Sequence, residues 1–342
     1  MVKLLTFDQA LKQADGGKRH LLLGNGFSRA CRNNLFAYEA LFKQAKGKLS
    51  DGAKKAFHAL NTTDFESVMR ALKQAADLVK VYAPTRPKLA QRLATDADKL
   101  RDVLAQAIAS SHPERPNKIE DSEFVSCRAF LSHFENIYTL NYDLLLYWAL
   151  MHEDVDDLSI ACNDGFHQPE DGPEEYVVWE VSDVGSQNVF YMHGALHIFD
   201  AGAEVQKYTW CNTGVALVEQ IRDALGKNRY PIYVAEGSSD SKMQRVQHSA
   251  FLSRGYRSLP SVSGSLFIYG HSLASNDEHV LRLIEKGRVT AVYVSIYGDA
   301  KSKDNKRIIA RAELFREGRD NSGRRNKLDV RFFDAASAKV WG

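Results

Sequence analysis

Polar and apolar residues follow two different rhythms along this chain. Short continuous apolar runs read as buried strands: His20-Leu21-Leu22-Leu23, Asn136-Ile137-Tyr138-Thr139 and Asn188-Val189-Phe190-Tyr191-Met192, with further runs at 230–235, 265–269, 291–297 and 328–333. Helical patterns lie between the later runs, over 239–259, 276–286 and 305–317. Strands alternating with helices of this length predict βαβ units and a mainly parallel α/β sheet. A hairpin is expected through His197-Ile198-Phe199 and Tyr208-Thr209-Trp210. From approximately 38 to 131 the pattern is helical, rich in Ala, Lys, Leu and Gln. Thr63-Asp64-Phe65-Glu66 reads there as a capping box, and Pro84, Pro87, Pro113 and Pro116 punctuate the helices. That stretch reads as a helical insertion after the first βα unit of a single domain, 1–342.

Composition narrows the class. Of 342 residues 44% are hydrophobic and 26% charged, which suits a folded protein with a large core. No apolar run approaches the about 20 residues of a membrane span. The opening Met1-Val2-Lys3-Leu4-Leu5-Thr6-Phe7-Asp8 lacks a signal-peptide pattern. Cys31, Cys127, Cys162 and Cys211 are far apart, which argues against a zinc ribbon or a disulfide framework. The expectation is a cytoplasmic protein with reduced thiols and no metal.

Net charge, +2, says little about partners. Its distribution says more: residues 129–206 contain no lysine or arginine and include an acidic stretch with Glu153, Asp154, Asp156, Asp157, Glu170, Asp171, Glu174 and Glu175. A solvated loop explains it; the functional alternative is a negative potential favouring a cationic ligand centre. The segment 301–327 is basic, but its one aromatic residue, Phe315, reads as core, so a nucleic-acid partner is not expected.

Four motifs end the strand-like runs. Gly24-Asn25-Gly26-Phe27-Ser28 is a strand-to-helix turn where a helix amino terminus offers N–H groups and a positive dipole end; Ser28 is a candidate cap. A purely structural turn is the alternative. The turn lacks the third glycine of the dinucleotide fingerprint, the acidic residue about 20 positions on, and the Gly-Lys-Ser/Thr of a P-loop, which argues against an ordinary dehydrogenase. Thr139-Leu140-Asn141-Tyr142-Asp143 places an amide and a carboxylate at the mouth of the next helix, where either Asn141 or Asp143 could instead simply cap it. Met192-His193-Gly194 puts a histidine, suited to general-base work, at a strand end. His152, His167 and His197 lack such a context and read as structural or surface residues. Gly270-His271-Ser272 with Asn276-Asp277 again opens a helix, and Asp277 could equally be an amino-terminal helix residue favoured by the dipole.

In order and content these motifs resemble the SIR2 (sirtuin) superfamily, whose shared chemistry is cleavage of the nicotinamide–ribose bond of NAD+. The resemblance covers the α/β core but not the helical insertion. It is nearest to the bacterial SIR2-like families of antiphage defence, and the segment 230–237 with Lys242 and Arg245 beyond it is similar to one uncharacterised SIR2-like family. The resemblance implies a Rossmann-like, SIR2-like sheet with NAD+ as substrate. By it, Asn141 orients the ribose and a water, Asp143 contacts the nicotinamide carboxamide and His193 acts as base. Gly24, Asn25, Gly26 and Ser28 hold the pyrophosphate, Thr139 belongs to the Thr-x-Asn-x-Asp element of Asn141 and Asp143, and Gly270, Ser272 and Asp277 serve the phosphates or the adenosine ribose.

The chain departs from deacetylating sirtuins in two respects. It cannot build their four-cysteine zinc module. Where they carry Pro-Asp-Phe-Arg it reads Ala30-Cys31-Arg32-Asn33-Asn34-Leu35-Phe36, leaving Phe36 or Tyr38 to cover the nicotinamide. The implied activity is hydrolysis of NAD+ to nicotinamide and ADP-ribose by a defence effector. A homo-oligomer or a regulatory partner protein would supply the trigger. The alternatives are a non-catalytic NAD or ADP-ribose sensor and a protein-modifying deacylase or ADP-ribosyltransferase.

Overall fold

A computed structural model of the chain describes residues 3–170, 174–180, 186–209, 213–227, 229–234, 239–321, 323 and 326–342. The side chains of Tyr38 and Ser241 also lie outside the description, as do Asp171, Trp210, Cys211 and residues 235–238.

The chain opens with β1 (Leu4–Leu5), α1 (Phe7–Gln13), β2 (Arg19–Leu23) and α2 (Gly26–Phe36). Helices α3 (Tyr38–Ala45), α4 (Asp51–Ala59), α5 (Phe65–Tyr82), α6 (Pro87–Ser111) and α7 (Asp121–Leu131) then precede β3 (Asn136–Thr139) and α8 (Leu145–Met151). Strands β4 (Phe166–His167), β5 (Tyr176–Trp179), β6 (Val189–Tyr191), β7 (Gly194–Asp200) and β8 (Val205–Tyr208) follow, then α9 (Leu217–Gly226) and β9 (Pro231–Tyr233). The last part holds α10 (Ser239–Gln247), α11 (Ala250–Ser258), β10 (Ser263–Tyr269), α12 (Glu278–Lys286), β11 (Arg288–Ile296), α13 (Lys303–Asn321) and β12 (Asp329–Asp334).

Among the described residues the main sheet runs β1-β12-β11-β10-β2-β3-β6, with every neighbouring pair parallel. Leaving the edge strand β1 aside, this is the 3-2-1-4-5-6 order of a Rossmann-like sheet. The strand order reverses between β2 and β10, which makes the crevice outside their carboxyl ends the place for a ligand. The fold is α/β, as the apolar runs imply. Strand β2 shows why: Leu21, Leu22 and Leu23 are wholly buried, as parallel strands covered on both faces require. Each such leucine contributes about 1.5–3 kcal/mol of transfer free energy.

One expectation is corrected. The run at 230–235 is not a member of the parallel sheet: β9 pairs antiparallel with β7 in a second sheet, β4-β5-β8-β7-β9. The hairpin expected through His197 and Tyr208 is present there as β7 and β8. The pattern over 239–259 likewise divides into two helices, because Ser249 accepts from the Leu252 N–H and caps the second.

The helices at 38–131 pack into the same core as the sheet. Phe57 and Phe65 meet at 5.1 Å, and the buried face of α6 carries Ala97, Leu100, Leu104 and Ile108. His112, just past α6, accepts from the Leu144 N–H through Nε2 at 3.0 Å, with Nδ1 3.0 Å from the Pro113 carbonyl. Burial pushes this histidine down to about 4, which keeps it neutral and able to accept. The insertion is thereby fastened to the loop that carries Asn141 and Asp143. The capping box expected at Thr63 is corrected too: Asp64 is the cap, accepting from the Glu66 N–H, and the Glu66 side chain turns inward.

Candidate functional site

The loops after β2, β3 and β10 enclose a cavity of about 740 Å³ at the switch point. Gly24, Asn25, Gly26, Asn141, Asp143, His193, Gly270, Ser272 and Asp277 all line it, whereas Ser28 and Thr139 do not.

The glycines owe their identity to loop packing. A Cβ on Gly26 would lie 2.4 Å from Gly270 Cα, and Gly270 itself has φ +69°. The Gly26 N–H donates to the Gly270 carbonyl at 2.8 Å, that of Gly24 to Tyr269 at 2.9 Å, and that of Phe27 to Gly24 at 3.0 Å. The expectation that Gly24 and Gly26 offer free N–H groups to a pyrophosphate is therefore corrected: those donors are spent holding two loops together. Gly194 is similarly explained, since a Cβ there would collide with the Ile232 carbonyl of β9.

Ser28 requires a second correction. It neither caps α2, whose cap position is Asn25, nor reaches the cavity. Wholly buried, its hydroxyl donates to Asp143 Oδ2 at 2.5 Å and accepts from Asn141 Nδ2 at 3.1 Å. The second Asn141 N–H goes to the Gly24 carbonyl, also at 3.1 Å. Both amide hydrogens are thus engaged, and Oδ1, without a partner among the described residues, is the polar atom left for a ligand. Thr139 Oγ1 accepts from the Asn141 N–H at 3.1 Å, so it shapes the loop from behind. Asp143 Oδ1 accepts from the Leu145 N–H at 2.9 Å, one residue ahead of Leu144, the cap position of α8, and the residue also lines the cavity. Burial raises the Asp143 carboxyl, opposed by its hydrogen bonds from Ser28 and Leu145.

His193 is 2% exposed, and the Tyr142 ring stacks beside it with centroids 6.3 Å apart. Its Nε2 lies 3.1 Å from His279 Nε2 and 4.0 Å from Asp277 Oδ1. Asp277, expected at the phosphates or ribose, is instead committed inward: Lys242 Nζ donates to Oδ1 at 3.0 Å, and His271 Nε2 lies 3.1 Å from Oδ2. The Leu273 N–H donates to His271 Nδ1, so the His271 proton is on Nε2 and points at Asp277. Lys242, 1% exposed, also donates to Glu66 Oε2 at 2.8 Å. Glu66 accepts further from Asn276 at 2.8 Å, and the Tyr142 hydroxyl lies 3.3 Å from it while nearer, at 3.0 Å, to the Val234 carbonyl that competes for its one hydrogen.

The electrostatics follow from this buried network. Burial alone would lower Lys242, but the Glu66 and Asp277 carboxylates outweigh it and hold the ammonium above its ordinary value. Burial would raise Asp277, yet the hydrogen bond from His271 and the charge of Lys242 hold it well below the usual carboxylate range. Glu66 is raised, because burial there exceeds the pull of Lys242. His193 is pushed well below its ordinary value by burial and then by the Lys242 charge, so it is neutral at neutral pH.

His193, Asp277 and His279 bring three atoms of metal-ligand type within 4.8 Å of one another. Two features disfavour a cation among them. The imidazoles are nearly parallel (11°), with centroids 5.3 Å apart and nitrogens 3.1 Å apart, so they meet head-on instead of converging on a third point. The Lys242 ammonium already supplies positive charge at Asp277.

The cavity continues past Arg29, Tyr269, Asn305, Lys339 and Trp341 to Tyr297, 80% exposed at its rim. Ser272 is exposed at the same cavity, and Phe36 lines it. Sequence reasoning did not assign Glu66, Lys242, His279 or Tyr142 to the site. Tyr142 lies inside the Thr139–Asp143 motif and Lys242 just beyond the segment 230–237, and neither has a role assigned there; His279 shows as a histidine beside the apolar residues Val280, Leu281 and Ile284 of its helix.

No curated protein matches this chain. Residues 21–341 match the family described as a domain of unknown function, DUF4917. The match spans nearly the whole chain, insertion and site together, and the protein belongs to that family.

Proposed function

We propose that this protein is an NAD+ glycohydrolase of SIR2-like type, releasing nicotinamide and ADP-ribose. The observation that carries the reading is convergence: Asn141, Asp143 and His193, from the ends of two parallel strands, line one cavity at the switch point of a Rossmann-like sheet. NAD+ would lie with its nicotinamide ribose toward Asn141 and its adenosine toward Tyr297 and Trp341.

In the proposed step the bond from ribose C1′ to the nicotinamide nitrogen breaks, and its electron pair leaves with neutral nicotinamide. A water oxygen adds to C1′ and its proton passes to His193. Asn141 Oδ1 accepts from that water or from a ribose hydroxyl, and Asp143 contacts the carboxamide. Asp143, a carboxyl beside Asn141 in the cavity lining, faces the positive charge that would develop on the ribose. Neutral His193 is the form that can take a proton.

Such an activity would drain a cell of NAD+. The reading therefore includes restraint until a trigger, by assembly or by a partner protein, as in an antiphage effector. The test is calorimetric binding of NAD+ together with nicotinamide release, for the wild type, Asn141→Ala and His193→Ala. Binding and release by the wild type, with release abolished in both folded variants, supports the reading. Binding without release under any assembly condition supports a sensor instead. Absence of both sinks the assignment.

A further inference from the structure

We propose that the outer half of the cavity is a subsite for a nucleotide diphosphate, held by the Arg29 guanidinium and the Lys339 ammonium in place of the glycine loop. That the diphosphate belongs to NAD+ rests on the hydrolase reading above; the preference for a diphosphate does not.

A diphosphate taken into a cleft needs hydrogen-bond donors and opposite charge. The backbone at the start of α2 is short of donors. The N–H groups of Gly24, Gly26, Phe27 and Arg29 all donate to carbonyls, the last to Asn25 at 3.0 Å. The Asn25 amide is engaged as well, its Nδ2 donating to the Phe36 carbonyl at 3.2 Å. Side chains have to serve instead, and Arg29 and Lys339 are the arginine and the lysine of the cavity lining.

The fold brings these two together. The Trp341 indole donates to the Phe27 carbonyl at 3.0 Å, and the two rings lie 5.3 Å apart. That contact fastens the segment carrying Lys339 to the first turns of α2, which carry Arg29. Lys339 itself sits at a left-handed backbone position, φ +43°, just past the short helix at 335–338. Both side chains are exposed, and among the described residues neither pairs with a carboxylate. Arg29 donates through Nε to Asn33 Oδ1 at 2.9 Å, which leaves its two terminal nitrogens for a ligand. A guanidinium offers phosphate a planar pair of donors and an ammonium a point charge.

The cavity is therefore graded. Its carboxylates, Glu66, Asp143 and Asp277, are committed to Lys242 and Ser28 at the buried end, while the uncompensated cations stand at the open end. Beyond them Tyr297 presents a ring 80% exposed, and its carbonyl is held by Asn305 Nδ2 at 2.8 Å. An aromatic face beside two cations suits a base followed by phosphates.

The test is calorimetric binding of ADP and of adenosine to the wild type, Arg29→Gln, Lys339→Gln and Lys339→Arg. The wild type is expected to prefer ADP, and each glutamine variant to bind ADP about 10-fold more weakly while binding adenosine unchanged. Lys339→Arg, which keeps the charge, is expected to bind ADP as the wild type does. Equal affinity for ADP and adenosine, no ADP binding, or unchanged ADP binding in both glutamine variants would overturn the subsite. So would a loss in Lys339→Arg as large as that in Lys339→Gln. None of this needs turnover: the expected losses without nicotinamide release from NAD+ would sink only the hydrolase reading.

Discussion

Replacing Lys242 by methionine keeps most of the side-chain volume and removes the one cation shared by Glu66 and Asp277. Lys242 is 1% exposed and donates to Glu66 at 2.8 Å and to Asp277 at 3.0 Å. Deleting one member of a buried ion pair costs about 3–5 kcal/mol, because the remaining charge is left uncompensated. Here two carboxylates would remain. Glu66, already raised by burial, is the one expected to take up a proton in the variant. The sign follows: a carboxyl with a folded pKa above its unfolded value adds stability at low pH and loses it as pH rises through the folded pKa. The deficit against the wild type should be full at pH 8. It should shrink by about 1.4 kcal/mol per unit once the pH falls below that of Glu66 in the variant. Urea unfolding at pH 8 and pH 5.5 measures both, and adding Glu66→Gln to Lys242→Met should recover part of the loss. A deficit under about 1 kcal/mol, equal at both pH values, would match an exposed pair and refute the buried network.

Ser28→Ala should destabilise by about 1–3 kcal/mol, since it leaves Asp143 Oδ2 and an Asn141 N–H without their buried partner. If Ser28 acts through those residues, kcat should fall more than KM rises; a pure KM effect would return it to direct contact with the ligand. Acid sensitivity should be steep. His193 and His197 are held well below their ordinary value by burial, and His112 and His279 at about 4, so the unfolded chain binds protons below pH 6.5 that the folded chain refuses. Their combined slope is up to about 5 kcal/mol per pH unit between 6.5 and 4, and a urea midpoint unchanged from pH 7 to pH 5 would contradict it.

The parallel strands were legible because strands covered on both faces have to be apolar without interruption, as in Leu21-Leu22-Leu23 or Leu266-Phe267-Ile268. The same reasoning misplaced β9. An apolar run reports burial, while its partner strand, β7, is decided by tertiary packing. Two-residue strands such as Leu4–Leu5 and Phe166–His167 are too short to show any period. In the cavity, Asn141, Asp143 and His193 were readable because each follows a strand end. Glu66, Lys242 and Asp277 meet across separations of 176 and 35 residues, and although Lys242 follows the family-like segment 230–237, no local pattern marks it as buried or gives it a role. Glu66 was misread because Thr63 and Glu66 fit a local rule that Asp64 satisfies instead. The Gly24 and Gly26 pattern was read as a ligand cradle, when the constraint comes from a second glycine loop 244 residues further on, at Gly270.

The most direct measurement of the central claim is the product balance from NAD+. Free nicotinamide and free ADP-ribose are quantified together for the wild type, Asn141→Ala and His193→Ala, with folding of each verified. Equal amounts of both products from the wild type, and neither from the variants, is the expected result. ADP-ribose attached to protein, or undiminished turnover in both variants, would contradict hydrolysis at this cavity.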